Sequence, residues 1–270
     1  MSAVNPLGLY LHYARASVRA QAQYPAAFLM LSAAQFLATG IEIVGVWALF
    51  ARFGQVLGWR FGDICIFYGV VNFTFALADT ITRGFDIFGT EYVRTGAFDR
   101  LLLRPLPTAF QLLGHEVRLS RLGRFVEALL VFVIGASLLH WTFGPAAIPL
   151  LVWAVMGGAA LFSGIMVLSG TLAFWTVESL EIVNVISYGG VEAAQYPLNI
   201  YAAWLREFLI FVIPIGCVAY FPVVAALGRP DPLGAPFWLM AASPAVGFLF
   251  LGVCLWIFGF GVRRYTSTGS

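Results

Sequence analysis

Apolar residues run along this chain in long unbroken stretches, not in the short alternations of a soluble fold. Six stretches reach the roughly 20 residues that a helix needs to cross the hydrocarbon core of a bilayer. They are 26–51, 61–81, 118–140, 147–175, 205–227 and 237–262. Short turn-rich links at 54–59, 140–145 and 228–236 join some of them, and two longer links, 82–117 and 176–204, join the others. Ahead of the first stretch, Leu11, Ala14, Val18 and Ala22 recur at near-helical spacing, with Arg15 and Arg19 on another face. That pattern predicts an amphipathic interfacial segment over 1–25. The whole reads as an all-α membrane protein: six transmembrane helices forming one unit over 26–262, then a short tail over 263–270. Pro214 and Pro222 predict that the fifth span is bent or split.

Composition agrees with the pattern. Hydrophobic residues make up 61% of the chain and charged residues 10%, against about 45–50% and 25% in soluble domains. The position of the charges orients the protein. With both termini inside, Arg15, Arg19, seven arginines from Arg83 to Arg124, Arg206, Arg263 and Arg264 face the cytoplasm, leaving Arg52, Arg60 and Arg229 outside. Lys and Arg are retained on the cytoplasmic side, so the pattern predicts an N-in, C-in topology.

Every basic residue is arginine, and the chain has no lysine. The phosphate-cradling GxxxxGK[ST] loop and Schiff-base chemistry are therefore both excluded. Work driven by ATP must be powered by another subunit. Cys65, Cys217 and Cys254 lie far apart in apolar runs, and His12, His115 and His140 are equally scattered, so no zinc site or disulfide framework is indicated. The polar, amphipathic start of the chain predicts no cleavable signal.

The segment 91–106, EYVRTGAFDRLLLRPL, crowds Arg94, Asp99, Arg100 and Arg104 into a chain that otherwise has few charges, and Gly96 and Pro105 punctuate it. Such an insert cannot sit in hydrocarbon and must face water or a soluble partner. Phe85, Phe88 and Tyr92 fall on one helical face and continue the second span past the membrane. Thr95-Gly96 permits a break, 97–103 is long enough for about two turns, Pro105 stops them, and Pro107 opens a further helix. A short transverse helix held across the cytoplasmic mouth can pass force from a soluble motor to the spans.

Arg94-x-Gly-Ala-Phe-Asp-Arg-Leu-Leu-Leu-Arg-Pro-Leu resembles the coupling segment of ABC-2-type transporter permeases, in the bacterial branch with a gly-x-leu-asp-x-x-leu-leu-arg-pro-leu pattern. Phe174-Trp175, Tyr196-Pro197, Tyr201, Ile213-Pro214 and Phe221-Pro222 extend the resemblance over nearly the whole chain; Phe98 departs from it where leucine is usual. The resemblance implies a bacterial cytoplasmic-membrane permease of six spans. It implies pairing with a second permease chain, often a different one, and two cytoplasmic ATPase subunits, with ATP and Mg bound at the ATPase and no cofactor on this chain. It also implies that Arg94, Gly96, Phe98, Asp99, Arg100, Leu103, Arg104 and Pro105 form the ATPase-coupling site.

Ionisable groups at mid-bilayer cost about 2.5–3.5 kcal/mol each on insertion scales. Asp79 and Glu127 fit pairing with Arg83 and Arg124. Glu42 has aromatic neighbours such as Trp47 and no arginine within two helical turns, so Glu42, Trp47 and Asp79 are candidates for a substrate pathway taking an amphipathic cation. The small residues Gly157, Gly158, Ala160, Ser163, Gly164, Ser169 and Gly170 predict close helix packing around the fourth span. The function expected is export of an amphipathic substrate (a drug, toxic cation or lipid-like molecule) by a permease that is not itself an enzyme. An ion-coupled secondary transporter using Glu42 and Asp79 is the competing reading; a membrane enzyme lacks the acid–base or metal clusters it would need.

Overall fold

The computed structural model describes residues 23, 25–113, 122–142, 144–175 and 180–266. Nearly all of the expected interfacial segment, together with His12 and His115, lies outside the described residues.

The long apolar runs become long helices. α1 (Pro25–Phe53) leads through a tight hairpin, β1 (Gln55–Val56) against β2 (Trp59–Arg60), into α2 (Phe61–Asp86). A π-helical turn over Phe88–Val93, α3 (Phe98–Leu102) and α4 (Thr108–Leu113) follow, then α5 (Leu122–Leu138), α6 (Ala147–Leu172) and α7 (Leu180–Ala194). The remainder is more broken: a 3-10 turn at Leu198–Ile200, α8 (Ala203–Glu207) running on as a π-helical turn over Phe208–Val212, α9 (Ile215–Val218), α10 (Tyr220–Ala226), α11 (Phe237–Ala242) and α12 (Ala245–Arg264). Among the described residues, Leu29–Phe53, Phe61–Val93, Ala147–Leu172 and Phe237–Arg264 are long and apolar enough to cross a membrane, and the pair Ala203–Val212 and Ile215–Ala226 is bent by 73°.

α2 is the central helix. It packs on α5 and α6, and α12 covers the other side of α6. The small residues of α6 make these contacts possible. A methyl group at Gly158 would sit 2.5 Å from the Thr74 side chain, and one on Gly247 of α12 would sit 1.9 Å from the Gly157 carbonyl oxygen. The stripe is therefore used for packing inside this chain. α1 rests on α5 along one line only, where Gly123 meets the Ser32 carbonyl, and leaves most of its apolar surface uncovered.

One expectation is overturned. The stretch 205–227 is apolar enough to cross, but it enters and leaves at the same end of the bundle. Just before it, Asn199 accepts a hydrogen bond from the Trp59 indole at 2.9 Å. Just after it, the Arg229 guanidinium donates to Asp63 at 2.8 Å. Trp59 and Asp63 both belong to the hairpin end, so 203–226, bent at Pro214, starts from and returns to that end. The helix that connects the two ends is α7, inside the stretch read as a long link. It follows Phe174, which packs at the end holding α3, and leads to Asn199 at the hairpin end. Asn184, Ser187 and Glu192 interrupt its apolar run, which hid it from hydropathy. Arg206 accordingly lies at the hairpin end with Arg52, Arg60 and Arg229, not with the cytoplasmic arginines as expected.

Candidate coupling surface and a polar flank

The turn region after α2 is built by local chemistry. Thr95 donates back to the Glu91 carbonyl, and Gly96, at φ +69°, reverses the chain without a side-chain clash. α3 follows for five residues and stops before Pro105. Gln111 of α4 then donates from its amide to the carbonyls of both Leu101 and Leu106, at 3.0 Å each, bracing the turn from behind. Gly84 lets α2 approach the Leu112 backbone of α4, where a methyl group would lie 2.0 Å from a carbonyl oxygen.

α3 has two unlike sides. Phe98 is fully buried and Leu101 nearly so. Phe98 meets Phe88 at 5.0 Å, Phe174 at 5.6 Å and Tyr265 at 4.9 Å between ring centroids. Phe88 in turn packs on Phe258 and Phe174, and Phe258 on Phe85. This aromatic cluster joins the ends of α2, α6 and α12 through one residue of α3. The other side is open. Arg94, Arg100, Leu102, Arg104 and Pro105 are exposed, Leu103 is 85% exposed, and Asp99 and Gly96 are half-buried. Of the residues expected at the coupling site, Phe98 therefore faces inward and cannot itself touch a docked subunit; it holds the others. In the sequence Phe174 stood out only as part of the resemblance and Tyr265 not at all; their aromatic character just beyond two helix ends was the available signal. Tyr92 stands beside this surface, half-buried, its ring stacked on Phe88.

The candidate pathway residues are dispersed. Glu42 and Trp47 are both exposed on α1, five residues apart and so about 140° around the helix from each other. Asp79 is buried in α2, eleven residues and about 16 Å along the helix from Tyr68. Tyr68 marks the level of the polar groups that lie near Glu42. At that level Glu127 accepts hydrogen bonds from the Thr39 and Tyr68 hydroxyls, and Arg124 donates to the Asn72 side-chain oxygen at 2.8 and 3.0 Å. The Arg124 guanidinium also lies 4.7 Å from the centroid of the Phe75 ring. Arg83 pairs with Asp86. Glu42 lies within electrostatic range of Glu192, Arg124 and Glu127. Glu192, exposed on α7 within the stretch read as a long link, brings a second carboxylate into electrostatic range of Glu42. Among the described residues no group of histidine, cysteine and carboxylate side chains could hold a metal ion.

Residues 36–269 match the family model described as ABC-2 family transporter protein. No curated protein and no solved structure matches the chain.

Proposed function

The chain belongs to the ABC-2 transporter family, and from that premise we propose that it is the permease subunit of an ATP-driven exporter. It is a multi-pass membrane protein, and membership of the family implies partnership with ABC ATPase subunits. The observation that carries the finer reading is the two-sided α3: an aromatic face keyed into the ends of three long helices, and an opposite face of Arg94, Arg100, Leu103 and Arg104 open to a soluble partner. Movement of a docked ATPase would reach α2, α6 and α12 through Phe98. Two ATPase copies, each binding ATP and Mg, would serve this chain and a second permease, either a different chain or another copy.

In this reading α1, α2, α5, α6, α7 and the α11–α12 segment cross the membrane, both termini are cytoplasmic, and 203–226 dips in from the outer face. Eleven arginines then face the cytoplasm and Arg52, Arg60, Arg206 and Arg229 face outward, an excess that still satisfies the positive-inside rule. Glu42 and Glu192 form an acidic flank suited to drawing in an amphipathic cation from the bundle's open side. A proton relay from Glu42 to Asp79 has less support, because α2 carries Asp79 far along from the Glu42 level.

Reconstitution with a cognate ATPase tests the proposal. The expected result is co-purification and ATP turnover stimulated by an amphipathic cation, both lost when Arg100 and Arg104 are changed to Glu. Transport by this chain with no ATPase present would overturn it.

A further inference from the structure

The re-entrant segment and the α11–α12 arm enclose a groove of about 910 Å³. Its walls are apolar, including Ile210, Pro214, Phe221, Leu239, Val246 and Phe250, and its lips include the exposed Phe211, Val212, Leu249 and Val253. Two charged residues line it, Arg206 and Glu207. Consecutive helical residues point about 100° apart and do not face each other, and no salt bridge joins this pair. Trp204, on the same helix, and Trp238, at the start of α11, stand exposed, and exposed indole rings concentrate at headgroup depth.

We propose that this groove is a binding site for a phospholipid with a primary-amine headgroup. The acyl chain lies along the apolar wall, the phosphate meets Arg206, and the ammonium meets Glu207. The charge pattern selects the headgroup. A phosphate beside a guanidinium gains charge-assisted hydrogen bonds. A primary ammonium offers three donors to the carboxylate, whereas a choline has no donor and a glycerol headgroup carries no cation to match Glu207. A wall of this size open to lipid is filled by lipid unless another protein covers it, and adjacent opposite charges above an apolar trough match one zwitterionic amphiphile. The site is separate from the coupling surface, and its occupancy requires neither the ATPase nor transport.

The test is native mass spectrometry of the full chain released from bilayers holding equal amounts of phosphatidylethanolamine, phosphatidylcholine and phosphatidylglycerol. The wild type should retain phosphatidylethanolamine roughly three- to tenfold over either of the others, the range expected when one or two partly exposed ionic contacts set the preference. Glu207→Gln should erase the preference over phosphatidylcholine, and Arg206→Gln should lower the amount of all three lipids retained per chain, since each carries a phosphate. Both positions lie on the short helix α8, Arg206 half-buried and Glu207 exposed, and the ratio among lipids is read within one folded sample, so a folding defect cannot imitate the result. Equal retention of all three lipids by the wild type, a ratio unchanged in Glu207→Gln, or total retention unchanged in Arg206→Gln would overturn the proposal. So would cross-linking through Cys217, which lines the groove, if it showed a second protein chain seated there.

Discussion

The ring of Tyr265, one residue past the end of α12, meets the ring of Phe98 in α3 edge to face, at 4.9 Å between centroids and 86° between planes. The contact ties the end of the last described helix to a five-residue helix through two residues 167 positions apart. Edge-to-face pairs contribute about 0.5–1.5 kcal/mol beyond the area they bury, and Phe98 makes three such contacts at once.

Phe98→Ala should therefore cost about 3–5 kcal/mol, the range for emptying a buried phenyl site. Thermal unfolding in lipid or detergent reads this directly. Phe98→Leu, which restores the residue usual in the resembled coupling pattern, should cost less than about 1.5 kcal/mol. If both variants unfold like the wild type, the aromatic cluster does not hold α3.

Leu103→Ala and Arg104→Glu change groups that stand in solvent, so their stability should stay within about 0.5 kcal/mol of the wild type. ATPase pull-down should nonetheless fall in both. Asp99→Arg should likewise insert normally and weaken docking by placing like charges together. Full binding by all three variants would remove the coupling role from this face.

The re-entrant path makes a topological prediction. Cysteines introduced at Gln55 and Arg206 should both react with a membrane-impermeant thiol reagent added from outside, and a cysteine at Leu103 only after permeabilisation. If the cysteine at Arg206 behaved like the one at Leu103, 203–226 would cross the membrane.

Gly247→Ala should destabilise by about 1–3 kcal/mol, because the new methyl group meets the Gly157 carbonyl at 1.9 Å and one helix must move. Gly252→Ala, at an open position of the same helix, serves as the control and should leave stability nearly unchanged. Comparing the two unfolding temperatures separates packing from helix propensity.

Glu42→Gln and Glu192→Gln should each weaken the apparent affinity for a cationic substrate, with the double variant down about tenfold, as loss of partly screened attraction would give. Transport of neutral substrates should be unchanged. Equal loss for cations and neutral compounds would mark the two carboxylates as structural.

The chain's membrane character, its long helices and the break at Gly96 before a charged turn were legible in the sequence, because each depends on local composition and backbone chemistry. The transmembrane path was legible only in part. The stretch 205–227 is as greasy as a span, and α7, interrupted by Asn184, Ser187 and Glu192, is not. Hydropathy measures the cost of burying a segment in hydrocarbon and says nothing of where its two ends emerge. That was decided by contacts between residues far apart in the chain, Trp59 with Asn199 and Asp63 with Arg229. The same holds at the coupling surface. Sequence marked the residues of the turn, but which of them stand exposed and which anchor the helix depended on rings brought in from just beyond α6 and α12. Likewise, the grouping of Glu42 with Glu192 could not be read from either helix alone, since residues 150 positions apart come within electrostatic range only in the folded bundle.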